Sequence, residues 1–177
     1  MILIRKAEPD DAAGIARVHI DSWRSTYQGI VPDSYLDALN EAERAAHWRD
    51  LLEHGMLALV AERSGSVLGF ATGGKSRDNT AGCDAELYAI YLLEEAQGTK
   101  IGRDLLRELA RSLSQGGFRS MEVWVLAKNP AKGFYERMGA EYAGSKDIEI
   151  GGSTLAEQAY VWPDLSALSG AHALSRS

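Results

Sequence analysis

Residues 86–113, ELYAIYLLEEAQGTKIGRDLLRELARSL, hold three successive patterns. Ile90, Leu92 and Leu93, with Tyr88 and Tyr91, make an apolar, β-favouring run suited to a central strand. Gln97-Gly98-Thr99-Lys100-Ile101-Gly102 follows, with little bulk, where that strand must turn into a helix. Ile101, Leu105, Leu106, Leu109 and Leu113 then recur at helical spacing, with Arg103, Asp104, Arg107, Glu108 and Arg111 opposite. A helix start leaves backbone N–H groups unpaired and carries the positive end of the peptide dipole. The junction therefore offers a place for phosphate.

Upstream, residues 2–6 suit a first strand, and Glu8-Pro9-Asp10-Asp11 a turn into a helix that runs to about Tyr27. Ile15, His19, Trp23 and Tyr27 recur at i, i+4 steps as a slowly drifting stripe. Trp23 and Tyr27 either pack that helix on a sheet or open onto a cleft. Pro32 suits the first position of a short helix to Leu39, and residues 42–52 a third helix. Residues 56–62 and 67–74 flank Arg63-Ser64-Gly65-Ser66 as an antiparallel hairpin.

Downstream, Gly116-Gly117 ends the helix, and residues 121–126 alternate as a strand. Residues 131–138 suit a short helix bearing Phe134 and Tyr135, and residues 141–150 and 154–162 a final hairpin around Gly151-Gly152. A strand, helix and strand in mid-chain imply a parallel crossover, and the hairpins imply antiparallel edges. The expected fold is one α/β domain over residues 1–165, with a mixed, mostly antiparallel sheet and helices on both faces. From Ser166 small polar residues without periodicity predict a mobile tail, residues 166–177.

With 177 residues, 45% hydrophobic and 25% charged, the chain has the balance of an ordinary globular domain. A net charge of −6 argues against a nucleic-acid backbone or an anionic membrane as partner. One cysteine, Cys83, excludes an internal disulfide framework and a cysteine-rich metal site, and suits a reducing compartment. No signal peptide or membrane span is evident, so a cytoplasmic address is expected, without metal. A homodimer through edge strands is one way to cover them.

The glycine loop is neither a P-loop nor a dinucleotide fingerprint, because the spacings GxxxxGK[ST] and GxGxxG are absent. A second motif follows the next strand: Asn129-Pro130-Ala131-Lys132-Gly133-Phe134-Tyr135-Glu136-Arg137-Met138-Gly139-Ala140. With these residues the chain from Ile4 to about Trp162 resembles the GCN5-related N-acetyltransferase (GNAT) superfamily. Gln97 and Gly102 match its Gln/Arg-x-x-Gly-x-Gly/Ala pyrophosphate loop, and NPAKGFYERMGA resembles its N…A…FYExxGF segment. WRSTYQGIVPDSYLDAL, residues 23–39, is similar to a bacterial subset. Lys100 stands where the family keeps a glycine, and Glu94 where it often has proline. At negative φ the lysine is tolerated and its ammonium adds attraction to pyrophosphate; at positive φ it is strained.

The resemblance implies a central strand pair that splays apart and acetyl-CoA as acetyl donor. The backbone of Ile90 and Leu92 would bond the pantetheine arm, and amides of Gly98, Thr99, Lys100, Ile101, Gly102 and Arg103, beside Gln97, the pyrophosphate. Asn129 would bond the pantetheine region, and Phe134 would pack on it. Transfer to a primary amine, of a small molecule or a peptide N-terminus, would be direct attack within a ternary complex. Tyr135 would be the general acid, Leu92 N–H the oxyanion donor and Glu86 the base, unless Glu86 serves a salt bridge instead. Trp23, Tyr27 and Tyr88 would line the acceptor pocket. A non-catalytic acyl-CoA-binding or regulatory module on the same fold is the alternative.

Overall fold

In a computed structural model, which describes residues 1–169, seven strands form one sheet. They are β1 (Leu3–Lys6), β2 (Ala58–Arg63), β3 (Ser66–Lys75), β4 (Ala85–Leu92), β5 (Met121–Leu126), β6 (Glu141–Ile150) and β7 (Ser153–Trp162). Their order is β1-β2-β3-β4-β5-β7-β6, and every neighbouring pair is antiparallel except β4 with β5. The mid-chain crossover and the mixed α/β class are as the sequence predicts.

The helices are α1 (Ala12–Tyr27), α2 (Asp33–Asp37), α3 (Glu41–Glu53), α4 (Ile101–Gln115), α5 (Lys132–Arg137) and α6 (Leu165–Ser169). Strand alternation sorts side chains between two cores. In β2, Leu59 and Ala61 join Leu105, Leu106 and Leu109 of α4, whereas Ala58 and Val60 join Ile15 and Val18 of α1 and Trp48 of α3. The three α4 leucines are fully buried, each contributing roughly 1.5–3 kcal/mol on transfer from water.

Two expectations shift. Pro32 caps α2 rather than occupying its first turn, with ψ at 136°. The first residues of the expected tail, 166–169, belong to α6, and Leu165 and Leu168 bury themselves in the α4 core. The remainder of the tail, 170–177, lies outside the described residues.

The feature that positions the site lies in β4. Opposite β3, Thr72 faces Ala89 and Gly73 faces Leu87, so Tyr88 is an extra residue in the ladder. Such a bulge bends and twists its strand. Just there β4 leaves β5: their parallel pairing is confined to residues 85–87 against 121–123. Past that point β5 continues with β7 alone.

Candidate active site

Antiparallel ladders alternate hydrogen-bonded and non-bonded residue pairs. Leu93 N donates to Leu68 O at 2.8 Å, and the register pairs Tyr91 with Phe70 and Ala89 with Thr72. Ile90 and Leu92 therefore turn their N–H and C=O groups to the other edge, into the gap left by β5. The Leu92 carbonyl accepts there from Ser22 Oγ at 3.1 Å and Gln97 Nε2 at 3.2 Å. The gap is a groove of about 370 Å³ whose walls include Ile90, Leu92, Gln97, Gly98, Thr99, Gly102, Asn129, Phe134 and Tyr135.

One end of the groove is the start of α4. Gly98 has φ +70°, a conformation that only glycine adopts without strain. Lys100 has φ −81° and ψ −3°, an ordinary helical conformation, so the lysine is unstrained. The amides of Gly98, Thr99 and Lys100 have no backbone partner among the described residues. Gly102 and Arg103 occupy the first helical turn, where N–H groups lack intrahelical acceptors. A Cβ on Gly102 would lie 3.2 Å from Leu92 Cδ1 and 3.6 Å from the Phe134 ring. The loop, β4 and α5 thus meet within van der Waals contact.

Three residues with amides expected in the cradle keep their side chains out of the groove. Ile101 N already donates to Thr99 Oγ1 at 3.3 Å, and the Ile101 side chain is core. Lys100 and Ile101 instead line a separate depression with Ile2, Ile4 and Arg63. Arg103 pairs with Asp104 at 3.0 Å. Arg137, which the sequence reading passed over, lines the groove as well. Glu94 is absent from the groove walls.

Asn129 is buried and braced. Its Nδ2 donates to the Tyr27 hydroxyl at 2.8 Å and its Oδ1 accepts from Ala131 N at 2.9 Å. It thereby ties the end of α1 to the start of α5. Tyr135 is 5% exposed, and burial, with Tyr27 adding to it, raises its pKa and keeps the phenol protonated at neutral pH. Burial likewise holds Tyr91 well above the usual tyrosine value.

A second pocket, of about 290 Å³, shares Tyr27, Tyr88, Tyr91, Trp124 and Val125 with the groove. Trp23, Tyr27, Tyr88 and Glu86, all expected near an acceptor, line it. Glu86 is 2% exposed and occupied: Arg77 Nη2 lies 2.5 Å from Oε2, and Arg77 N donates to Oε1 at 3.1 Å. Arg77 also stacks over the Tyr88 ring at 4.9 Å. Trp124, Lys146 and Glu157 are pocket residues that the sequence reading did not single out. For Trp124 the signal was the alternation Glu122-Trp124-Leu126 in β5; Lys146 and Glu157 join it only through the register of β6 and β7. The buried Glu122 carboxylate accepts from Trp124 Nε1 at 3.1 Å and Ser76 Oγ at 2.5 Å, which sets the indole's orientation.

Comparison with known proteins agrees with this geometry. A family model described as acetyltransferase (GNAT) family matches residues 17–140. The uncharacterized N-acetyltransferase YuaI of Bacillus subtilis (strain 168) is 45% identical over 168 residues, covering 95% of this chain and 96% of that protein. The probable N-acetyltransferase Rv2775 of Mycobacterium tuberculosis is 29% identical over 175 residues, 97% of this chain and 90% of the relative. Among solved structures, the PaiA N-acetyltransferase from Thermoplasma acidophilum in complex with coenzyme A shares the fold. Its TM-score is 0.69 at 24% identity, covering 89% of this chain and 98% of that one. The residues matched by the family model span both the pyrophosphate-type loop and the Asn129 motif, and the chain belongs to the acetyltransferase (GNAT) family.

Proposed function

We propose that the chain transfers the acetyl group of acetyl-CoA to a primary amine by direct attack within a ternary complex. The observation that carries this reading is the splay of β4 from β5, which exposes the Ile90 backbone and the Leu92 N–H beside the loop amides. A pantetheine arm is an extended amide chain, and it would pair with that edge as a missing strand does. The N–H groups of Gly98, Thr99, Lys100, Gly102 and Arg103 would receive the pyrophosphate, with Gln97 and Arg137 at its margin. Phe134 would pack on the arm, and Asn129 would hold the wall behind it. The PaiA neighbour with its coenzyme A lends support from the same fold.

In this reading the acetyl group points to the junction of the two pockets, near Tyr27, Tyr91 and Trp124. The neutral amine attacks the thioester carbonyl carbon, and Leu92 N–H steadies the oxyanion. As the C–N bond forms and the C–S bond breaks, the electron pair leaves on sulfur, which takes the Tyr135 phenol proton. The nitrogen's surplus proton returns to the phenolate and restores the phenol. Cys83 takes no part: it is buried, outside both pockets, and burial pushes its thiol pKa up. A pocket of about 290 Å³ suits a small amine or a single N-terminal residue.

The binding-only alternative drew on Lys100 and Glu94; the φ of −81° at Lys100 and the place of Glu94 outside the groove walls weigh against it. The test is turnover. Protein, acetyl-CoA and a panel of amines are expected to release free thiol, with Tyr135→Phe slowing release at least tenfold while acetyl-CoA affinity stays within about twofold. Equal rates for the wild type and Tyr135→Phe would remove Tyr135 from the mechanism. No release with any amine would reject the transferase reading.

A further inference from the structure

Glu86 is poorly placed to take the acceptor's proton, because both of its oxygens are held by Arg77. The opposite wall offers a different carboxylate. In register, Glu157 of β7 lies between Leu126 of β5 and Lys146 of β6, so it shares their sheet face and lines the acceptor pocket. Its side chain is 17% exposed and makes no hydrogen bond among the described residues. Its nearest cation, Lys146 Nζ, is 3.9 Å away. That ammonium lies closer to Asp78, at 3.1 Å, and sits over the Trp124 ring at 3.9 Å. Arg77 pairs with Glu86 and Lys146 most closely with Asp78; Glu157 is the pocket carboxylate with the longest ion pair, 3.9 Å to the shared Lys146.

Resting on the acetyl-transfer reading, we infer that Glu157, not Glu86, receives the acceptor's ammonium and takes its proton. The acceptor then enters as a cation. One N–H bond of R–NH3+ breaks, its proton goes to a Glu157 oxygen, and the lone pair left on nitrogen attacks the thioester. Glu157 later gives that proton to solvent. Arg77 and Lys146 already lie over the Tyr88 and Trp124 rings, and Trp23 is the aromatic wall left for a cationic guest. Desolvation raises the Glu157 pKa above the ordinary carboxylate value, toward working pH. The groups that face it are Lys146 from β6, Arg77 and Asp78 from the loop after β3, Glu86 from β4 and Tyr27 from α1. Lys146 and Arg77 oppose the rise, and Asp78 and Glu86 add to it.

The test compares Glu157→Gln, Glu157→Asp and Glu86→Gln by thiol release across pH 6–9, with acetyl-CoA affinity by calorimetry. Glu157→Gln is expected to lower kcat/KM for the amine roughly 100-fold at pH 7. Acetyl-CoA affinity stays within about twofold, and the deficit shrinks toward pH 9 as neutral amine becomes abundant. Glu157→Asp, which keeps the charge but shortens the reach, is expected to fall between the two. Glu86→Gln is expected to lose less than Glu157→Gln. A wild-type rate in Glu157→Gln, or a larger loss in Glu86→Gln, would overturn the assignment while leaving acetyl transfer intact. If wild-type protein acetylates no amine, both proposals fall.

Discussion

At the scale of single residues, the loop's conformational load rests on Gly98. Its φ of +70° means that Gly98→Ala should cost about 1 kcal/mol in chemical denaturation and weaken CoA binding severalfold. Lys100→Gly should give no gain in CoA affinity, since φ at Lys100 is already ordinary; tighter binding would show that the lysine obstructs the cradle. The family resemblance placed the glycine at 100, and sequence cannot say which loop position turns left-handed. Only backbone geometry separates the two. The short helix that carries Tyr135 was legible because its motif is local, whereas for Glu86 the sequence left base and salt bridge both open. Its partner Arg77 is only nine positions away, but a loop has to fold back to bring it there.

His19 carries a residue-scale pH dependence. Burial lowers its pKa to about 4 from 6.5. The unfolded chain therefore binds a proton at higher pH than the folded one, and stability is lost as pH falls from 6.5 toward 4. The loss is about 2–3 kcal/mol by pH 4.5. His19→Gln should flatten that part of the stability profile, measured by urea denaturation at pH 7 and pH 4.5. An unchanged slope would mean that His19 is protonated in the folded state.

At the scale of elements, the site depends on α1, β4, β5 and α5 holding fixed relations. Strand and helix positions were readable from periodicity: the expected strands 121–126 and 141–150 coincide with β5 and β6. The splay was not readable from residues alone, because it arises where Tyr88 bulges against β3, a pairing across distant sequence. The resemblance supplied it. The Asn129–Tyr27 hydrogen bond joins residues 102 positions apart and was invisible for the same reason. Asn129→Ala strands a buried phenol and leaves the Ala131 amide without its acceptor, so it should cost about 1–3 kcal/mol in denaturation experiments. Tyr27→Phe, which leaves only one amide hydrogen unpaired, should cost less. The reverse ranking would show that Asn129 is not the brace.

At the scale of the whole molecule, two pockets meet at the seam between strands that part, and neither α-helical face alone would make that junction. No helix among the described residues is long and apolar enough to cross a membrane. If the groove holds CoA in the folded state only, ligand at 100 times Kd should add about 2.7 kcal/mol to stability, read as a raised Tm. An unmoved Tm at that concentration would contradict a folded-state site.

The central claim is that the loop from Gly98 to Gly102 holds a pyrophosphate while β4 pairs with the pantetheine arm. Calorimetric titration with CoA and with pantetheine, which lacks the diphosphate, tests it most directly. The expected result is saturable CoA binding, with pantetheine weaker by at least about 100-fold, or roughly 2.7 kcal/mol. Equal affinity for the two ligands, or no CoA binding at millimolar concentration, would contradict the account.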